Sequence, residues 1–463
     1  MKSILGGIVL LMSLFLVSCR QDIAFEEPSL PLRFSKDTLV LDTVYHNTRS
    51  ETYAIKVYND EDKDIKIPRI HLEKGSASPY RINVDGKAGT DFADVVLRRK
   101  DSLYIFVEIA PVATTTEMVV EDQILFGKND NQKVTLLSVV QDAEFFVSTK
   151  DNPKIITENT TWNSTKAKII YGTLQLAEGK TLTIEEGTKV YFYKNSGLKI
   201  AKNSELNING AFQKEVIMRG HRNEARYDTI PANWDGIVLE QGARANVNYA
   251  KIFGGNTGIE ANHAEVNLKN TIIHTFQDYG IKGINATVNA ENLVINNCGS
   301  ANIGIFKGGT YDLLHATLAN YFSLKSVYTP LGIEAYNEWT DANGQKVYAP
   351  LNLQLKNTIV YGKSNNAIVL KPSIGQVFDY SFQNSLVKYG SDSGYTWDGN
   401  ASVVNSIKNE DPLFVNYFTS KMNLRLQDKS PAKGNANLTS AQKAPKDITQ
   451  VSRTNTPSIG AYQ

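Results

Sequence analysis

The densest group of side chains able to handle a sugar lies in the stretch 323–350. Tyr328, Tyr336, Trp339 and Tyr348 stand there among Glu334, Asn337, Glu338 and Asp341. Aromatic rings stack on the CH face of a sugar, whose hydroxyls take amide and carboxylate partners. The competing assignment is structural, since aromatics in a long insertion also pin it to the wall beneath. Acid–base and metal chemistry have thinner support. Glu240 and Glu260 lie 20 residues apart and could stack outward as a pair. Glu265 and Glu291 hold different places in their local patterns, so no acidic ladder for Ca²⁺ results. Asp235, after Trp234, suits a turn cap. The six histidines, His46, His71, His221, His263, His274 and His315, are each expected to be surface or structural, and His263 and His274 have no Cys or carboxylate at metal-ligand spacing. Cys298 sits in the apolar run Val294-Ile295-Asn296-Asn297-Cys298, where a buried, inert thiol is expected. No metal site is assigned and no cofactor is expected; Ca²⁺ would enter only for a lyase.

Placing these residues falls to a repeat. An apolar-x-(Asn/Ala)-x-apolar pattern recurs at Ala250, Asn270, Asn292, Ala316, Asn357 and Asn384, with steps of 20, 22, 24, 41 and 27 residues. A period in the low twenties, with short apolar strands and no helical segment, predicts a parallel β-helix over 155–463 of about ten to twelve coils. Asn270, Asn292, Asn357 and Asn384 then form a structural ladder at one corner, with Ala250 and Ala316 as small members. The long step fits one coil carrying the 323–350 insertion, which leaves the regular coil, or two coils. Upstream, 33–146 alternates short β-rich segments (52–58, 65–72, 80–84, 103–109, 123–126 and 133–140) with turn residues. This predicts an immunoglobulin-like antiparallel sandwich serving as a spacer. The fold class is all-β.

Composition sets the outer limits. The chain has 463 residues, 41% of them hydrophobic, enough for a sizeable core. Lys+Arg 49 against Asp+Glu 48 leaves a net charge of +1. No global field attracts nucleic acid, which is excluded as a partner on that ground. Two cysteines cannot build a disulfide framework. Lys2 precedes an uncharged apolar run over 4–17, too short to span a bilayer and suited to an export signal over 1–18.

Two resemblances sharpen this reading. Leu16-Val17-Ser18-Cys19 resembles the lipobox of bacterial lipoproteins, which implies lipidation (palmitate) at Cys19, a tether over 19–32 and a membrane partner reached through the lipid. The opening run from Gly172 to Thr188, Trp234-Asp235-Gly236-Ile237, Asp411-Pro412-Leu413-Phe414 and Ser458-Ile459-Gly460-Ala461-Tyr462 resemble right-handed parallel β-helix proteins. The last two motifs are similar to their C-terminal closing segment. Together these features resemble Bacteroidota surface lipoproteins of the pectin-lyase-like superfamily. The resemblance implies an outer-membrane, surface-exposed protein that presents its β-helix for binding a polysaccharide, without catalysis. Two alternatives stay open: a polysaccharide lyase or glycoside hydrolase of this fold, and a structural partner of an envelope protein. The paired carboxylate motifs and the Gly-His-Gly and Arg-x-Lys partners of polygalacturonase-like enzymes are missing.

Overall fold

The computed structural model describes residues 25–113, 115–222, 224–324, 329–453 and 455–463, so Cys19 and Tyr328 lie outside the described residues. The chain divides into two compact units, Met1–Gln141 and Asp142–Gln463.

In the first unit, alternating β-branched and aromatic residues form two five-stranded sheets. One sheet is antiparallel throughout and centres on Tyr53–Tyr58, Ser102–Ile109 and Tyr80–Val84. The other pairs Gln132–Gln141 with Glu117–Phe126 antiparallel and with Thr38–Tyr45 parallel. That parallel edge departs from the all-antiparallel expectation. Ile55, Val57, Ile67, Ile105, Val107, Ile124 and Leu136 fill a common core.

The second unit is a parallel coil with three faces. Faces I and II share a 17-stranded sheet, because Tyr279–Glu291 and Ala301–Leu314 each run through the corner between them. Face III is an 11-stranded sheet that includes Val216–Gly220, Ile272–Phe276 and Ile359–Gly362. Inward Leu, Ile and Val side chains stack from coil to coil into one continuous core. Of the 323–350 stretch, Leu331–Tyr336 is an ordinary face I strand. A short hairpin, Glu338–Thr340 with Lys346–Tyr348, is what leaves the coil. The long step is therefore one coil with an insertion.

From Tyr249 onward, the corner between faces II and III carries one left-handed residue per coil. These are Tyr249, Asn270, Asn292, His315, Asn357, Asn384 and Asn405, with φ between 47° and 54°. Asparagine enters this conformation at little cost, so it recurs. The register places Tyr249 and His315 in the column, not Ala250 and Ala316 as the sequence suggests. Leu313, not Leu314, is the inward partner of Ala290. Adjacent apolar residues hide this one-residue slip, which exchanges inward and outward positions. Within the column Asn292 Nδ2 donates to Asn270 Oδ1 at 2.9 Å, and Asn270 Nδ2 donates to Asn248 Oδ1 of the adjoining face II strand at 3.1 Å.

The C-terminal segment packs along face III. Phe414, Leu424, Leu426, Ile448, Ile459 and Tyr462 cover the outward side chains Val294, Ala319, Ile359 and Leu386. The same segment ties into the corner column. Asn357 Nδ2 donates to Asn437 O, and Asn357 Oδ1 accepts from Asn437 N at 2.7 Å. His315 is fully buried, with Nδ1 3.2 Å from Gly460 O and Nε2 3.1 Å from Asn357 Nδ2. A carbonyl only accepts and an amide N–H only donates, so the ring is the neutral Nδ1–H tautomer.

Burial, aided by the Arg453 charge, holds the His315 pKa down at about 3. A histidine depressed in the folded state contributes stability above its unfolded pKa, and that stability is lost as pH falls toward the folded value. The urea midpoint should therefore fall from about pH 6.5 to pH 4, with His315 supplying of the order of 2–3 kcal/mol of the loss. His315→Asn, which installs the residue used by neighbouring coils, should make that decline shallower by the His315 share, while His274, held down at about 3 by burial, keeps its own. An equal decline in both proteins would remove His315 as its source.

Candidate functional site

Side chains pointing out from face I form two columns at the strand spacing. One runs Glu260–Lys282–Gly304–Glu334 and the other Asn262–Ile284–Phe306–Tyr336–Lys371. Gly304 leaves a gap that the Tyr279 ring occupies: a Cβ there would stand 2.6 Å from the ring. Tyr279 Oη donates to Glu334 Oε1 at 2.8 Å, and Tyr336 Oη approaches Oε2 at 3.5 Å. Burial and the Glu334 charge raise the Tyr279 pKa, so the phenol stays protonated.

The aromatics converge on Phe306. Tyr336 stacks on it at 5.6 Å and 11°, while Trp339 meets it edge-on at 5.5 Å and 63°. Tyr279 takes the third side at 5.8 Å and 83°. Lysines sit over the outer rings, Lys371 over Tyr336 at 5.3 Å and Lys282 over Trp339 at 5.9 Å. All four rings are half-buried. The result is a fixed aromatic surface with one carboxylate and two ammonium groups at its margin.

This unites Tyr336, Trp339 and Glu334 of the residues read from the sequence and separates Tyr348, Asn337, Glu338 and Asp341 from them. Trp339 lies across the hairpin from Val347, and Glu338 across from Tyr348. Trp339 and Tyr348 therefore project from opposite faces of the ribbon. Of the expected hydroxyl partners, Asn337, Glu338 and Asp341 hold the hairpin instead. Buried Asn337 accepts from Ser373 N at 2.8 Å and donates to Val377 O. Glu338 takes Lys346 Nζ at 2.8 Å and Ser373 Oγ at 2.9 Å. Asp341 Oδ1 accepts from Asn343 N and Gln345 N within the turn. Tyr279, Lys282 and Phe306 escaped the sequence reading because they lie one and two coils upstream. Phe306 and Tyr336 hold matching places on successive coils, a signal that finds Phe306, whereas Tyr279 is in register with Ala301 and Leu331 and only the packing places it in the cluster.

The other carboxylates are engaged. Register places Glu240 beside Asn262 and Val238 beside Glu260, so the two glutamates do not stack. Glu240 pairs with Lys199 at 2.9 Å, Glu260 with Lys282 at 3.1 Å, Glu265 with Arg244 at 2.9 Å and Glu291 with Lys269 at 3.1 Å. Asp235 accepts from Asn256 Nδ2, while neighbouring Trp234 is buried and stacks on Phe192 at 4.2 Å. Glu260 and Glu334 stand three strand spacings apart with Lys282 between them, about 14 Å at the backbone. Paired carboxyls of glycosidases stand ~5–9.5 Å apart. Among the described residues, no three His, Cys, Asp or Glu gather to hold a metal ion. Cys298 is buried, and its thiol is pushed far above the usual range.

Residues 153–266 match the family model described as a pectate-lyase-like β-helix domain. Together with the stacked parallel sheets, this match supports a pectate-lyase-like β-helix fold for the second unit. No curated protein matches the chain. Among solved structures, Dex49A from Penicillium minioluteum is 12% identical, with 84% of this chain and 80% of that one covered and a TM-score of 0.23. The catalytic unit of a GH87 alpha-1,3-glucanase from Streptomyces thermodiastaticus is 9% identical, with 77% and 89% covered and a TM-score of 0.20. The ASH/PapD-like domain of human CEP192 is 12% identical over 26% of this chain and 94% of that one, with a TM-score of 0.17. Likeness at these scores transfers no substrate.

Gly308 lies against the chain where the hairpin returns to the coil. It has φ +68°, and a Cβ would stand 2.4 Å from both the Ala349 and Pro350 carbonyl oxygens. Gly308→Ala should push the hairpin base away and speed hydrogen exchange over 338–348 by about tenfold or more, with face III unchanged. Unaltered exchange in the hairpin would show that Gly308 does not set its position.

Proposed function

We propose that this protein binds a polysaccharide at the cell envelope, tethered through lipid on Cys19 and using the aromatic surface of face I, without turning the sugar over. An immunoglobulin-type first unit would serve as the spacer. The observation that carries this reading is the fixed cluster of Tyr279, Phe306, Tyr336 and Trp339 around Glu334. Half-exposed rings locked by one another lose little entropy on stacking against a sugar. Lys282, Lys371 and Glu260 at the margin supply polar partners for hydroxyls. The engagement of neighbouring carboxylates with lysine and arginine supports binding over acid–base work, which needs one carboxyl held protonated.

Affinity electrophoresis through gels containing dextran, xylan, mannan, laminarin or polygalacturonate tests this reading. At least one gel should retard the protein. Trp339→Ala or Tyr336→Ala should weaken that binding by about 1–2 kcal/mol, roughly five- to thirtyfold in Kd, and Tyr348→Ala should not. New reducing ends or unsaturated products from any of the five polymers, with or without Ca²⁺, would overturn the non-catalytic assignment. For the tether, Cys19→Ser should abolish incorporation of an alkynyl palmitate label and release the protein from the membrane fraction. A mutant that keeps the label would exclude Cys19 as the lipid site.

A further inference from the structure

Face II carries a feature that the aromatic surface does not use. Its central outward column runs Asn207–Asn246–Asn267–Asn289 and continues to Asp312. The amides are bonded in series: Asn246 to Asn207 at 2.9 Å, Asn267 to Asn246 at 3.0 Å and Asn289 to Asn267 at 2.9 Å, with Nδ2 the donor each time. This is a second asparagine column, on the outside of the coil and distinct from the corner. The series stops at Asn289. The side chain that follows, Asp312, is turned to Lys356, whose Nζ lies 3.1 Å from both carboxylate oxygens. Asn289 is exposed, and among the described residues its Oδ1 and second N–H have no partner.

Beside this open end runs a trough of about 440 Å³, within the range of small-ligand pockets. One wall is the asparagine column and the other is the turn carrying Ser440 and Lys443. The floor follows the next outward column, Asn209–Asn248–Lys269–Glu291–Leu314–Lys356, which crosses six strands or about 24 Å of the axis. Half-buried Leu314 interrupts that polar row with an apolar patch.

Charge and backbone select the occupant. Lys269 is paired with Glu291 and Lys356 with Asp312, so the trough offers no run of free cations to a nucleic acid or other dense polyanion. Lys443 is exposed and its ammonium has no partner among the described residues. From Glu205–Asn209 to Leu351–Lys356, face II strands are paired on both edges, so an extended peptide finds no edge to extend. What remains is an amide that both donates and accepts, one ammonium and an apolar patch. A hydroxyl both donates and accepts, and a sugar ring has an apolar face. We infer that the face II trough is a second saccharide site, which seats a hydroxyl-rich chain lying along the coil axis between Asn289 and Lys443. The inference rests on the polysaccharide-binding reading but uses none of its face I residues.

The same five gels, run on the full chain, separate the two sites. Asn289→Ala combined with Lys443→Ala changes two exposed side chains, and Ser440→Phe fills the trough while leaving the amide column intact. Either variant should lose at least tenfold in affinity for the polymer that retards the wild type, with an unchanged melting temperature. Wild-type retardation in both variants would overturn the face II site. If Trp339→Ala alone abolishes binding, face I stands and face II falls. Loss in the face II variants with Trp339→Ala unaffected keeps face II and removes face I. Retardation of the wild type by none of the five polymers would overturn both.

Discussion

Everything in the second unit depends on each coil turning the same corner at the same height. A strand can stack on its neighbour at about 4.8 Å only if the chain re-enters face III in register, and from Tyr249 onward re-entry is made by one left-handed residue per coil. Asparagine pays least for that backbone, and its amide can also bond to the coil before it. Where the column holds Tyr249 or His315, other contacts compensate. His315 is held on one side by Gly460 O and on the other by Asn357. The corner is therefore both a backbone constraint and the anchor for the C-terminal segment.

That anchoring divides the three faces by role. Face III carries outward Ile272, Val294, Ala319, Ile359 and Leu386, and the C-terminal segment packs against them. Faces I and II keep polar and aromatic outward columns instead. On face I the rings collect around Phe306 because Gly304 makes room for Tyr279 and the hairpin folds Trp339 back over earlier coils. On face II the amides bond in series and end at an exposed donor–acceptor pair. On face I, Glu260 and Glu334 stand three strand spacings apart, about 14 Å at the backbone, farther than the paired carboxyls of sugar hydrolases.

The period of the asparagines and the alternation of apolar triplets determined the parallel coil and the core residues, because inward side chains must recur once per turn. The same logic placed Asn270, Asn292, Asn357 and Asn384 at a corner. It could not register the coil at His315, since Leu313 and Leu314 are equally apolar and only strand pairing decides which points inward. Nor could it assemble the aromatic cluster, whose members lie on three coils between Tyr279 and Trp339. Composition marked Tyr336 and Trp339 as able to stack on a ligand, but it also grouped Tyr348 with them, and the hairpin sends that ring to the opposite side. The roles of Asn337, Glu338 and Asp341 as pins were likewise decided by tertiary structure, because a polar side chain bonds whichever partner the fold brings within about 3 Å. Sequence period sets what each coil must bury; only the stacking of coils decides which outward side chains become neighbours.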